Sequence, residues 1–264
     1  MSAMSTRDYL SLLGVPELPA RTCPFDPGYD PATVESHLEQ SAALMCSLKI
    51  SMACWIVADE SAVRRKVAAA REHGVPTVTG GGPFEVAVAQ GVLEEYLDLC
   101  AGIGFSRIEC GRGFTDMSLS PDLVVGMAHE RGLGVEVEVG SKHDGAFGVD
   151  DVDELLAEGQ DWLRAGAERI IVEARESAQD VGLFDSGGRF DAQLADRFAE
   201  AFGLERVVFE APTKASQFRL LDHFGPRPLL SNVRLEELLR VEIYRRGLHS
   251  DAFQVAALRP SRVA

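Results

Sequence analysis

The sequence predicts a single (β/α)8 TIM barrel with a short N-terminal extension. Short β-branched runs alternate with longer amphipathic stretches from about residue 20 to the end. Strands separated by helices in this way imply parallel βαβ units. Eight such units fit the 264 residues, and about 250 residues is the usual size of such a barrel. A doubly wound open sheet is the alternative. That fold normally carries a GxGxxG-type turn after its first strand, and "FDPGYDP" is not one.

The elements follow in order. The strand candidates are "RTCPF", "CSLKIS", "VPTVT", "FSRIEC", "GVEVEV", "RIIVE", "RVVFE" and "PLLSN". Between them lie helix candidates at 31–44, 59–73, 84–102, 120–131, 150–165, 190–202, 213–224 and 233–246. Asp30-Pro31 sets a capping residue before a first-turn proline. Gly74, Gly132 and Gly166 each follow a helical run, where C-terminal caps fall. Residues 1–19 read as the extension, with a short helix over the barrel bottom, and residues 20–264 as the barrel domain.

The formal charge of −15 argues against nucleic acid as a partner, because a phosphate backbone needs basic surface. A small anionic ligand in a local cluster of Lys and Arg stays compatible with it. No apolar run approaches the roughly 18 residues that cross a membrane, and the first 20 residues lack signal-peptide features. The expectation is therefore a cytoplasmic protein without a membrane partner. The five cysteines form no CxxC pair, which favours reduced thiols over disulfides or zinc.

In a barrel, chemistry sits at the C-terminal ends of the strands. Those positions here carry Asp26, Lys49, "TGGG" with Gly80, Gly81 and Gly82, then Glu85, Glu109, Arg112, Asp116, Glu138, Lys142 and His143. Glu173, Arg175, Glu176, Glu210, Ser231 and Asn232 complete the series. Carboxylates converging from several strands suit a hard divalent cation such as Mg²⁺. Interleaved lysines and arginines suit a multiply anionic substrate. The glycines offer backbone N–H groups at a helix start for a phosphate, or simply a tight turn. Glu173 and Arg175 share parity and are equally readable as an ion pair. The alternation in "VEVEV" leaves the direction of Glu138 open. Cys54-Trp55 reads as packing, and "IYRRG" as a basic helix end facing the helix dipole.

An ordered series of longer segments carries more. "GGPFEVAVAQG", "GFSRIE" with "TDMSL", "VEVGSK", "GAERIIVEARES" with "GLFD", "VVFEAPTKASQ" and "VEIYRRGLHSDAF" run through about residues 26 to 255. In this series the chain resembles the phosphosulfolactate synthase family, (β/α)8 enzymes that add sulfite to phosphoenolpyruvate with Mg²⁺, giving (2R)-O-phospho-3-sulfolactate. The resemblance implies Lys142, at the family's "EVGKK" position, as the acid that protonates carbon 2. It matches Lys49 to the second-strand lysine and Arg175 to the arginine of "GRES". Glu109, Glu173, Glu210 and Asp26 become the acids expected around Mg²⁺ or Mn²⁺. Gly80, Gly81, Gly82, Arg112, Lys214, Ser231, Asn232, Arg245 and Arg246 become the expected contacts to substrate anions.

Three mouth segments depart from the family pattern. "KFGWGTS" is here "KISMACW", "SDGSSD" is "GRGFTD", and "YPGGT" is "VTGGG". Arg112 suits an extra anionic group, while Phe114 and Trp55 suit a larger or less polar partner than sulfite. The alternatives are therefore a phosphoenolpyruvate-using barrel with another nucleophile, or a non-catalytic ligand-binding barrel. Barrels of this kind often associate, so a homo-oligomer is also an expectation.

Overall fold

A computed structural model describes residues 3–115, 119–141 and 145–260, with the side chain of Asp150 set aside. Eight parallel strands form a closed barrel in sequence order. They are β1 (Thr22–Asp26), β2 (Leu48–Ile50), β3 (Thr77–Thr79), β4 (Arg107–Gly111), β5 (Gly134–Val139), β6 (Arg169–Val172), β7 (Val207–Glu210) and β8 (Leu229–Arg234). Closure pairs β1 with β8, with a register shift between Thr22 and Pro24.

All eight sequence-predicted strands are present, and the open-sheet alternative falls with the closure. The helices are α1 (Thr6–Leu12), α2 (Pro31–Ser41), α3 (Cys54–Val57), α4 (Glu60–Glu72), α5 (Gly81–Gln90), α6 (Leu93–Ile103), α7 (Pro121–Glu130), α8 (Val149–Ala165), α9 (Ala192–Phe202), α10 (Lys214–Phe224) and α11 (Leu238–Arg245). Asp30 caps α2 by accepting from the amides of Ala32 and Thr33. Two expectations change. The helix expected over 84–102 is two helices, α5 and α6, broken where Gly91 takes a φ of +70° that a residue with a Cβ adopts only at a cost. Helix α1 exists but buries none of its residues.

Period-2 alternation divides each strand between two environments. Ile108, Val135, Val137, Val139, Ile170, Val172, Val207 and Phe209 belong to the large core that includes Leu97, Cys100, Val124, Trp162 and Phe198 from the helices. A separate small cluster, Ile171, Val208 and Leu229 with Cys46 against it, comes from the opposite parity and fills the barrel interior. Strand positions sharing the parity of that plug carry charges: Arg107 and Glu109, Glu136 and Glu138, Arg169, and Glu210. The plug therefore separates a charged floor from a charged mouth. Each large buried side chain contributes about 1.5–3 kcal/mol, and truncating one such as Phe198 costs about 3–5 kcal/mol.

At the floor, Glu136 is buried and meets Arg169 at 3.3 Å and Arg107 at 3.7 Å. Arg107 reaches on to Glu168 at 2.6 Å. All five cysteines are free thiols in this structure, with the Cys23 and Cys46 sulfurs 2.8 Å apart. Arg245 is fully buried and donates to the Pro226 and Pro228 carbonyls at 2.8 and 2.9 Å and to Thr22 Oγ1 at 3.1 Å.

Candidate active site

Above the plug lies a cavity of about 930 Å³ whose lining includes Lys49, Gly80, Gly81, Gly82, Glu109, Glu138, Glu173, Arg175, Glu210 and Asn232. Six strands or their following loops thus place side chains around one space, as the strand-end reading requires. Lys49 on β2 is the buried cation that ties the charged wall together. Its Nζ lies 2.8 Å from Glu109 Oε2 and 3.6 Å from Glu210 Oε1, and donates to Asn232 Oδ1 at 3.3 Å. Burial works to discharge this ammonium, but Glu109, Glu210 and Glu138 outweigh it and hold its pKa above the usual lysine range.

Glu109 answers differently to the same neighbourhood. Burial raises its pKa, Lys49 opposes the rise, and Glu138 and Glu210 add to it, leaving the carboxyl at about 7. Its Oε1 accepts the Gly81 amide at 2.9 Å. One of the three glycine amides expected for a phosphate is thereby occupied by a protein carboxylate.

Glu138, Glu173 and Glu210 bring carboxylate oxygens within 4.8 Å of one another, all buried. Each acid is fixed from its strand. Glu210 accepts from the Ala174 amide at 2.9 Å and from Asn232 Nδ2 at 2.5 Å. Glu173 Oε1 accepts the Arg175 amide, a turn that places Arg175 at a φ of +53°. Gly182 lies against this turn so closely that a Cβ there would sit 2.0 Å from the Glu173 carbonyl oxygen. Beside them, Ser231 Oγ is buried and finds no partner among the described residues.

Opposite oxygens of an octahedral Mg²⁺ with ligands about 2.1 Å away are about 4.2 Å apart. Neighbouring oxygens of such an ion are about 3 Å apart, so the three carboxylates, within 4.8 Å of one another, share one ion after rotation of their side chains. Oxygen donors of this type suit Mg²⁺ or Mn²⁺. The residues present fit the metal.

The other expected residues divide. Asp26 is fully buried and taken, pairing with Lys66 while its Oδ1 accepts the Gly28 and Tyr29 amides at 2.7 and 2.6 Å. It shapes the first strand-end turn and stands apart from the cluster of Glu138, Glu173 and Glu210. Arg245 and Arg246 both pair with Glu242. Arg245 is sealed against Thr22 at the start of β1, so neither arginine reaches the mouth. Lys214 heads α10 but is half exposed, pairs with Asp251 at 3.4 Å and lies over Phe218. Arg112 pairs with Glu158 at 2.9 Å and lines a neighbouring cavity with Ser141, Phe147 and Asp151.

Lys142, Asp116 and His143 lie outside the described residues. Trp55 is buried against Tyr96 and Phe105, which is the packing reading and removes it from the substrate's reach. Glu138 was legible as an acid but not in direction. The two glutamates of "GVEVEV" alternate with valines that enter the helix-side core, so both point inward. Met52, Ile56, Pro83, Val86 and Phe114, which make the apolar side of the cavity, carry no chemical signal in the sequence and were missed apart from Phe114.

A closed barrel with buried acids at the strand ends and a lysine among them defines a class of mouth-site barrel proteins competent to hold a divalent cation. Within that class, the family model for (2R)-phospho-3-sulfolactate synthase (ComA) matches residues 16–251, and the chain belongs to this family of carbon–sulfur lyases. The phosphosulfolactate synthase of Methanocaldococcus jannaschii is 32% identical over 236 residues, covering 88% of this chain and 93% of that one. The Bacillus subtilis phosphosulfolactate synthase is 30% identical over 192 residues, covering 72% and 76%. Among solved structures, deoxyribose phosphate aldolase from Aeropyrum pernix superimposes with a TM-score of 0.55 at 14% identity, covering 92% of this chain and 99% of that one. That likeness shows the fold alone.

Proposed function

We propose that this chain catalyses the metal-dependent addition of sulfite to phosphoenolpyruvate, giving (2R)-O-phospho-3-sulfolactate. The observation that carries the reading is the convergence of Glu138, Glu173 and Glu210 beside the Lys49–Glu109 pair, in a chain whose curated relatives are phosphosulfolactate synthases. Mg²⁺ or Mn²⁺ held by these three carboxylates supplies Lewis-acid stabilisation of the charge that develops on the substrate carboxylate.

The chain's own groups supply the rest. Lys49 stays an ammonium and presents a fixed positive charge where the anionic substrate enters, without reorganisation during reaction. Asn232 holds Lys49 and Glu210 in register by donating to one and accepting from the other. The free amides of the α5 start and the exposed guanidinium of Arg175 serve the phosphate. Attack of the sulfite lone pair on the methylene carbon forms the carbon–sulfur bond and moves the π electrons toward the carboxylate. Carbon 2 then takes a proton, and Lys142 is the proposed donor.

Phosphorus NMR of the purified protein with phosphoenolpyruvate, sulfite and Mg²⁺ tests the reading. A new phosphomonoester signal that requires all three and the enzyme supports it. Lys142→Ala should retain the fold and lose most turnover, and unchanged turnover removes Lys142 as the acid.

One observation favours a second reading. Met52, Ile56, Val86 and Phe114 are each about half exposed, and they line the same cavity as the acids. For sulfite such a wall is only a boundary that limits where it sits, whereas a nucleophile bearing an apolar group would bind to it directly. Metal-dependent binding of phosphoenolpyruvate without product from sulfite selects this second reading.

A further inference from the structure

Glu85 is a buried carboxylate that the mechanism above does not use. It lies in α5, 1% exposed, and among the described residues it has no lysine, arginine or histidine partner. Its charge is met by one loop. Oε1 accepts the Gly113 amide at 3.1 Å, and Oε2 accepts the Phe114 amide at 2.9 Å, the Thr115 amide at 3.0 Å and the Thr115 hydroxyl at 2.9 Å. An ionised group buried without a counter-ion is costly unless its lone pairs are filled. Here three consecutive backbone amides and a hydroxyl fill them, so the segment after β4 is held at its main chain.

What the segment carries is Phe114. This ring lines the mouth cavity and also the neighbouring one that contains Arg112, Ser141 and Phe147. It stands over the start of α5, where a Cβ placed on Gly82 would lie 3.9 Å from the ring. Helix α5 thus supplies Pro83 and Val86 to the apolar wall and, through Glu85, fixes the height of the next member of that wall.

We propose that Glu85 is a positioning residue for the mouth: by clasping residues 113–115 it sets Phe114 as the partition between the two cavities, and that partition selects the nucleophile. The inference rests on the proposed lyase reaction for its kinetic consequence, and on geometry alone for the clasp.

Three variants test it: Glu85→Gln, which keeps the shape but points an N–H donor at loop donors, Glu85→Ala and Phe114→Ala. Amide hydrogen exchange over residues 113–115 should accelerate at least about tenfold in both Glu85 variants and stay at the wild-type rate in Phe114→Ala. Glu85→Gln and Phe114→Ala should each raise KM for sulfite by about tenfold, with kcat within about threefold, since a displaced wall costs orientation more than chemistry. Unchanged exchange in Glu85→Ala overturns the clasp. Wild-type KM in Phe114→Ala overturns the partition. A lowered melting temperature with unchanged kinetics makes Glu85 merely structural and overturns the proposal as well. If the wild-type protein gives no product from phosphoenolpyruvate and sulfite, the proposed reaction falls, and the exchange rates decide the clasp by themselves.

Discussion

The floor and the mouth of this barrel are built from the same residue types and solve opposite problems. Glu136 and Glu138 are two positions apart on β5 and point into the same interior. At the floor, Glu136 lies between Arg169 and Arg107, so the protein neutralises its own buried acid. At the mouth, Glu109, Glu138 and Glu210 act together on the buried ammonium of Lys49, and Glu138, Glu173 and Glu210 stand close enough to share an ion. A buried acid between its arginines is architecture, whereas three buried acids gathered at one point suit a shared ion. The comparison also explains why counting charges along the chain does not find a site. What distinguishes the two ends is the local balance, and only the fold assembles it.

The largest effect expected from breaking this contrast is on turnover. Glu173→Gln or Glu210→Gln should weaken metal binding and lower turnover by at least about a hundredfold. Metal titration followed by calorimetry, together with the phosphorus NMR assay, reads both. Undiminished metal affinity in both variants would sink the three-carboxylate assignment.

The next effect is on stability. Lys49→Met takes away the ammonium that pairs with Glu109 and Glu210 and should cost the metal-free protein about 3–5 kcal/mol in urea unfolding. Saturating Mg²⁺ should restore part of that loss, because a ligand that binds only the native state stabilises it by mass action. At the floor, Glu136→Gln should cost about 1–3 kcal/mol, with no recovery on adding metal and turnover unchanged. Equal recovery in both variants would erase the distinction between the two ends.

The smallest effect is a pH slope. The Glu109 carboxyl sits at about 7 in the folded chain, above the ordinary 4.5. Between those values the folded state holds a proton that the unfolded state has released. The metal-free protein therefore loses stability as pH rises through that window, by at most roughly 3 kcal/mol from this group. Glu109→Gln should flatten that part of the profile. An identical profile in the variant shows that Glu109 is not the group responsible.

Much of this was legible in the sequence, and the misses have physical causes. The eight strands announced themselves because β-branched runs between capped helices follow from local chemistry. The break at Gly91 went unseen because an apolar, helix-favouring stretch continues on both sides of it. Lys49, Glu109, Glu173, Glu210 and Asn232 come together as their strand-end positions imply. Asp26 occupies the same kind of position, yet Lys66, forty residues on, claims it. Arg245 and Arg246 follow from likeness of motif alone, and their shared partner Glu242 holds them away from the mouth. Glu85 gives no sequence signal for its role, since what it holds is backbone, and backbone amides are the same in every residue but proline.

The buried Arg245 has a consequence in time. It joins the last helix to Thr22, 223 residues earlier, at the seam where β1 meets β8. Contacts so distant along the chain are the slow ones to form. On the ribosome, the first strand emerges about two hundred residues before β8, so β1 keeps an unsatisfied edge until that strand follows. Closing the cylinder waits for β8, and a nascent chain halted before it is left with its earliest strand open to strangers.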